Sequence, residues 1–347
     1  MDNIPWSIAR INAPFLWKRG ILGHGVVVAV IDTGVNASHP DLCHRIWQGS
    51  YLWEGNGYNA IEHSRDIHDE IGHGTACAGT IAGDGSAGIR TGVAPQASIM
   101  PVKVFGPHGT TQAIVRDGIS WAARNGADII ALSLSFNRHQ QPEYRKWREA
   151  ADVLLTAGIP LICSAGNLGS RMDEFPVPNN IPLPGSIPPP WLHPLQRTND
   201  VRTGGAITCG ASDRRDTPLC SPDEGSGTGP ATWEDISPYN DYPLSDGRAG
   251  LVKPDLLAPG EDIISLSHEH EGYIRYGHTS SAVPHVAGAA ALLLSAFPRL
   301  TPAELNEALE TTAIHPMPGM KDNRYGAGRI DVEGAYRYLA LRHCDRI

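Results

Sequence analysis

Gly277-His278-Thr279-Ser280-Ser281-Ala282-Val283-Pro284-His285-Val286-Ala287-Gly288, followed by an Ala/Leu run to Leu294, decides how the rest of the chain has to fold. From Ala282 to Phe297 the residues are almost continuously apolar or small, so a helix formed there has no polar face and must run through the middle of a domain. Pro284 suits the start of a helix, where its missing N–H deprives no intrahelical acceptor, and this sets Ser280 at or just before the helix N-terminus. A hydroxyl at that place feels the positive end of the helix dipole. Taken alone, Ser280 reads as an ordinary N-cap. Three other stretches change that reading.

The chain has 347 residues, 41% hydrophobic and 19% charged, enough for one large core, and one domain over residues 1–347 is expected. A formal net charge of −9 leaves no basic stripe for a phosphate backbone, which argues against nucleic-acid binding. No apolar run is expected to span a bilayer, and Met1 opens a mixed, Asp-containing segment with neither the basic end nor the apolar core of an export signal. No membrane association is expected. The six cysteines, at 43, 77, 163, 209, 220 and 344, are too sparse and irregular for a disulfide scaffold or a Cys-x-x-Cys zinc site. Cys163 and Cys209 sit in strand-like apolar runs and read as small buried hydrophobes.

Val26-Val27-Val28-Ala29-Val30-Ile31 is a continuous apolar run without alternation, the mark of a strand buried on both faces of a parallel sheet. Asp32 ends it. Ligands of open α/β sheets bind beyond the carboxyl ends of strands, so an aspartate there is a candidate site residue as well as a turn former. Asp69 to Gly83 is rich in Gly and Ala, predicting a helix that lies close to a sheet, with His73 at its start. Cys77 shares a helix face with His73, which makes a Cys–His nucleophilic pair one rival reading. His63, Asp66, His68, Asp69 and His73 form a second rival, a metal cluster, but no His-Glu-x-x-His spacing occurs.

The α/β rhythm continues with strands at Ala97–Phe105, Ala127–Ser135 and Ile159–Ala165, and helices at Thr111–Asn125 and through Trp147 and Leu155. This alternation predicts a three-layer fold, a mostly parallel central sheet flanked by helices. Asn167 follows the third of these strands. From about 168 to 203 the rhythm breaks, with eight prolines between Phe175 and Leu195, and a second irregular stretch runs from about 213 to 248 with Trp233 and Tyr239 as anchors. The first is a solvent excursion or, because it is rooted beside Asn167, a binding loop. Thr301-Pro302-Ala303-Glu304 is a capping box, and a last helix is expected near Val332–Arg342.

Asp32, His73, Asn167 and Ser280 thus all fall at strand ends or helix starts of one sheet. Acyl transfer needs a hydroxyl nucleophile, an imidazole to carry its proton, a carboxylate to hold the imidazole and a donor for the oxyanion. With these residues in hand the chain resembles the subtilisin-like serine proteases, or subtilases, over nearly its whole length. Val28-Ala29-Val30-Ile31-Asp32-Thr33-Gly34-Val35 with His39-Pro40-Asp41-Leu42 is similar to the family's aspartate block, and His73-Gly74-Thr75 to its histidine block. Gly92-Val93-Ala94-Pro95, Ser164-Ala165-Gly166-Asn167 and Lys253-Pro254-Asp255-Leu256-Leu257-Ala258-Pro259-Gly260 match further family segments. An esterase of the α/β-hydrolase type is excluded, since Ser280 lacks a Gly-x-Ser-x-Gly elbow.

The resemblance implies a serine endopeptidase with Asp32, His73 and Ser280 as triad, Asn167 as oxyanion donor, and an extended polypeptide substrate bound as an added strand along Ser133-Leu134-Ser135 and Gly166. It implies no cofactor for the chemistry and a monomer; calcium is common in the family and Asp41 matches one usual ligand, but the loop Asp84-Gly85-Ser86-Ala87-Gly88 lacks the Asn-rich character of the usual partner loop, which weighs against a structural calcium here. Secretion is implied for a trimmed mature form, and a cytoplasmic enzyme if Met1 is the native start. The serine block departs from the family's Gly-Thr-Ser-Met-Ala-x-Pro-His: His278 stands for the Gly and Ser281 for the Met. These two departures ground the alternative of a degenerate subtilase that binds peptides without cutting them.

Overall fold

In the computed structural model, which describes residues 4–196, 202–219, 225–244 and 250–344, the apolar run becomes strand β1, Val27–Asp32, at the heart of a seven-stranded sheet. Val28 and Val30 point into one core layer, Ala29 and Ile31 into the other, because successive side chains of a strand alternate faces. Both faces are covered, and the sequence has no polar alternation. The remaining strands of the sheet are β2 (Tyr58–Asn59), β3 (Ser98–Lys103), β4 (Ile129–Leu132), β5 (Leu161–Ser164), β6 (Ala206–Ser212) and β7 (Leu256–Pro259). Their order is β2-β3-β1-β4-β5-β6-β7, and every pairing is parallel.

That order reverses at β1: β3 lies on one side of it and β4 on the other, so the connections leaving their carboxyl ends diverge and open a crevice. Asp32 stands at this switch point. A short antiparallel pair, β8 (Ile263–Leu266) and β9 (Tyr273–Tyr276), leads from β7 to the serine stretch.

The helices are α1 (Trp6–Arg10), α2 (Pro14–Trp17), α3 (His73–Ala82), α4 (Gln112–Arg124), α5 (Tyr144–Thr156), α6 (Thr279–Ala296), α7 (Pro302–Thr311) and α8 (Val332–Cys344). α3 and α6 share the core layer on one face of the sheet, with α1, α2, α7 and α8 outside them; α4 and α5 cover the other face. The capping signals act as read. Thr111 accepts from Ile114 N at the start of α4, and Thr301 and Glu304 form a reciprocal capping box on α7.

Three expectations need correction. Pro284 is the sixth residue of α6 and lies inside the helix, not at its first turn. α6 is itself eighteen residues long and apolar enough to cross a bilayer by length and composition, yet it runs inside the protein, which is the other environment that accepts a helix without a polar face. The proline-rich segment is no solvent excursion. Residues 180–190 are buried, Leu183 exchanges backbone hydrogen bonds with Phe136 just beyond β4, and the buried Asn180 side chain donates to Leu168 O and Phe175 O while accepting from Thr228 N. In the second irregular stretch Trp233 is fully buried, edge-on to Tyr239.

α6 packs closely on the segment that follows α3. A Cβ added at Gly288 would come within 2.6 Å of Val93 Cβ, a backbone-anchored neighbour that cannot swing away. Gly288→Val is therefore expected to destabilise the protein by about 3 kcal/mol through overpacking, despite removing a helical glycine. Urea unfolding followed by tryptophan fluorescence would check this, and a neutral result would refute the close packing.

Candidate active site

β1 delivers the Asp32 carboxylate, 1% exposed, to the sheet edge, where Oδ1 accepts from Thr33 N at 2.8 Å and faces His73 Nδ1 at 2.7 Å. The backbone oxygen of Asp32 accepts from Val104 N and Phe105 N, which ties the Phe105–Gly109 turn to the same strand end. His73 opens α3 directly after Gly72, whose φ of +96° sets the sharp turn into the helix. Gly74 has to be glycine, since a Cβ there would lie 2.1 Å from Gly34 O. The histidine helix is pressed backbone to backbone on the aspartate turn.

Asp69 holds this junction together, a role the sequence reading missed when it grouped the residue with metal-ligand candidates. Its buried carboxylate accepts from Thr33 Oγ1, Ile71 N and Gly72 N on one oxygen and from Thr75 N and Thr75 Oγ1 on the other, at 2.6–3.1 Å. Burial alone would raise its pKa, but hydrogen bonds from Thr75, Gly72 and Thr33 prevail and hold it below the ordinary carboxylate value. An aspartate ahead of a glycine-rich helix start, six residues before a threonine, was the available signal.

Ser280 is the second residue of α6, partly exposed, and its Oγ lies 3.5 Å from Ser133 O in the resting rotamer. Pro284 has no N–H to give to the carbonyl four residues back, which is that of Ser280. Ser133 Oγ donates to Ser280 O at 3.1 Å and the Cys77 thiol at 3.6 Å, so the carbonyl freed by the proline is served from β4 and α3. Asn167, just past β5, accepts on Oδ1 from Thr279 N and, at 2.7 Å, from Thr279 Oγ1. This fixes the amide and turns its NH2 the other way.

His278 is the N-cap of α6 at φ +67°, ψ −165°, a region that glycine alone occupies freely and that costs another residue about 1–3 kcal/mol. Its N–H donates to Gly260 O at 2.7 Å, and its carbonyl accepts from Ser281 N and Ser281 Oγ. Ser281 is fully buried.

The imidazole of His73 is penalised by burial when charged, but the Asp32 carboxylate outweighs this and raises its pKa well above the ordinary histidine value. Cys77 Sγ lies 4.0 Å from His73 Nδ1, the nitrogen already engaged by Asp32, and burial pushes the thiol pKa up. A protonated, 2% exposed thiol is a poor nucleophile, which disposes of the Cys–His pair. Among the described residues the one group of three potential ligands near enough to share an ion is Asp32, His73 and Cys77, so the cluster from His63 to His73 is not brought together as such. Cys43, Cys77, Cys163 and Cys209 are free thiols; Cys220 lies outside the described residues.

Ser133 is buried with its hydroxyl committed to Ser280 O, while Leu134 and Ser135 remain partly exposed along the crevice. Gly166 is buried against the Pro182 ring, where an added Cβ would come within 2.5 Å of Pro182 Cγ. The proline-rich segment therefore reaches the edge of the site.

Asp41 is held by protein donors. Its buried carboxylate accepts from Ala87 N at 2.5 Å and from Tyr273 Oη at 3.0 Å, and the same Tyr273 oxygen accepts from Ile89 N at 2.8 Å. Each carboxylate oxygen thus accepts one proton donor from the protein. Hydrogen bonds clasp the 84–90 loop directly to Asp41.

An α/β protein whose parallel sheet gathers a carboxylate, an imidazole and a helix-terminal hydroxyl around its switch point is built as a hydrolytic enzyme. Residues 23–328 match the subtilase family. The chain is 31% identical over 337 residues to Subtilisin DY of Bacillus licheniformis, covering 96% of this chain and 99% of that protein. It is 30% identical over 338 residues to Subtilisin Savinase of Lederbergia lenta, covering 97% and 100% of the two chains. With Subtilisin E of Bacillus subtilis (strain 168) the identity is 32% over 338 residues, 96% of this chain and 71% of the relative. The chain belongs to the subtilase family and is a serine-type endopeptidase, a hydrolase of polypeptides whose chemistry needs no cofactor. These relatives lend no support to the non-catalytic, peptide-binding alternative.

Asp69→Ala would leave five protein donors without their acceptor and is expected to cost about 3 kcal/mol of stability and to lower kcat by loosening His73 against Asp32. Urea unfolding and steady-state kinetics on one preparation would show both losses, and unchanged kcat would remove Asp69 from the site. Tyr273→Phe is expected to destabilise the 84–90 clasp by about 1 kcal/mol, equally in excess calcium and in EDTA. A loss appearing only in EDTA would restore the cation.

Proposed function

We propose that Ser280 Oγ is the nucleophile, His73 its general base and acid, Asp32 the orienting carboxylate, and Asn167 Nδ2 with the Ser280 N–H the oxyanion donors. The observation that carries this reading is the 2.7 Å contact between Asp32 Oδ1 and His73 Nδ1. A proton on Nδ1, facing that carboxylate, would leave Nε2 with a lone pair for a hydroxyl. Rotation of Ser280 about χ1, away from Ser133 O, brings Oγ to that nitrogen when substrate binds.

The substrate lies extended along Leu134, Ser135 and Gly166, paired through backbone groups. Oγ attacks the scissile carbonyl as Nε2 takes its proton, and the oxyanion forms toward Asn167 and the first turn of α6. Nε2 then protonates the departing amine, and water repeats the sequence on the acyl-enzyme. Support for Asn167 comes from Thr279, which occupies its Oδ1 and so presents Nδ2.

The pH dependence has a definite sign. Folding raises the His73 pKa, so the stability this group contributes is full below the ordinary histidine range and fades as pH rises through the higher folded value. The neutral imidazole needed as base appears over that same higher window. Fluorophosphonate labelling is therefore expected at Ser280 alone, accelerating with pH around a midpoint above the usual histidine value. Ser280→Ala should abolish it, and Asp32→Asn should slow turnover by about 10⁴-fold and move the midpoint down. Intact mass and peptide mapping would read the outcome, and a label surviving in Ser280→Ala would refute the assignment.

A further inference from the structure

Resting on the reading of Ser280 as nucleophile, we propose that Ser281 is a positioning residue whose hydroxyl holds the strained His278 peptide in place. The two departures from the family pattern, His for Gly at 278 and Ser for Met at 281, then form one compensating pair. The backbone of His278 keeps the φ of +67° and ψ of −165° that only glycine adopts freely. A side chain there drives the peptide toward negative φ. Rotation of this peptide would shift Thr279, whose N–H and hydroxyl hold Asn167 Oδ1, and with it the N–H and Oγ of Ser280.

The peptide is pinned from both ends. His278 N–H donates to Gly260 O at 2.7 Å, and His278 O accepts from Ser281 N at 3.2 Å and from Ser281 Oγ at 2.9 Å. The hydroxyl has one other acceptor nearby, Pro259 O at 3.5 Å. Fully buried, it is out of reach of substrate, and a methionine at this position would have no proton to donate. A hydroxyl bonding back along its own helix is common, and by itself such a bond would matter equally whatever residue stood at 278. Coupling to His278 distinguishes the two roles.

The test is a double-mutant cycle of the native protein, Ser281→Ala, His278→Gly and the double variant, reading kcat and KM on an internally quenched peptide together with thermal melting. Ser281→Ala is expected to lower kcat roughly tenfold at constant KM in the native background, but less than about twofold in the His278→Gly background. If Ser281→Ala folds only when combined with His278→Gly, the coupling is supported through stability. Equal loss in both backgrounds, no loss in either, or failure to fold in both overturns the proposal. Ser280→Ala serves as the separate control: turnover surviving there refutes the nucleophile assignment, while the melting temperatures of the cycle still report the coupling.

Discussion

A helix without a polar face has to be covered on every side, and α6 imposes that constraint on the whole molecule. Thr279 and Ser281 to Leu293 are buried, so the sheet must lie along one flank and α3 along another. Space is made by small residues: Gly288 meets Val93, and Gly79 on α3 meets Leu266 and Ser265 of β8. Once the helix is threaded through the core, its N-terminal turn can emerge only at an edge of the sheet. Ser280 stands there for the same reason that Asp32 does: strands and the central helix end on the crevice where the strand order reverses.

The parts of the site legible in the sequence are those set by continuous apolar runs. The run before Asp32, the Gly/Ala helix after His73 and the run before Asn167 each place a polar residue at the end of a buried element, and periodicity alone locates such ends. What was not legible depends on contacts between distant segments. Pro284 reads locally as a helix start, and only Ser133 and Cys77, far away in sequence, make it tolerable inside α6 by serving Ser280 O. The prolines from 176 to 194 look like exposed loop because composition carries no record of Asn180 and Leu183 stitching that segment to its neighbours. Nor does the sequence around Asp41 show that Tyr273 and Ala87 donate to its carboxylate.

A second buried polar assembly shows the same logic away from the crevice. Lys253 Nζ donates to Asp255 Oδ2 at 2.6 Å, Lys321 Nζ reaches Asp255 Oδ1 and both Glu310 oxygens, and Asn306 donates to Glu310. Burial raises Glu310 even beside Lys321, and lowers Lys253. Two lysines and two acids face one another in this set, which fastens the start of β7 to α7 and the segment beyond it. Truncating one member would strand its partner, which is why such networks fix a single arrangement even where their net stabilisation is small.

The turn before the proposed nucleophile, Ser280, tolerates strain because it is over-determined. Its backbone is held by Gly260 through His278 N, by Ser281 through His278 O, by Asn167 through Thr279, and by Ser133 and Cys77 through Ser280 O. Apart from Ser281, which belongs to the turn itself, these holds come from four separate segments of chain, so relaxing one peptide would break hydrogen bonds on several elements at once. A positive-φ histidine that would reshape an isolated turn therefore persists here as stored strain. The same fixation limits how far Asn167 and the Ser280 N–H can move, and under the proposed mechanism such donors, needing no reorganisation as charge develops, are the most effective kind for an oxyanion. Rigidity at the turn and freedom in the Ser280 hydroxyl, held among the described residues by a 3.5 Å contact with Ser133 O, are thus complementary in the proposed mechanism: the frame stays fixed while the hydroxyl rotates.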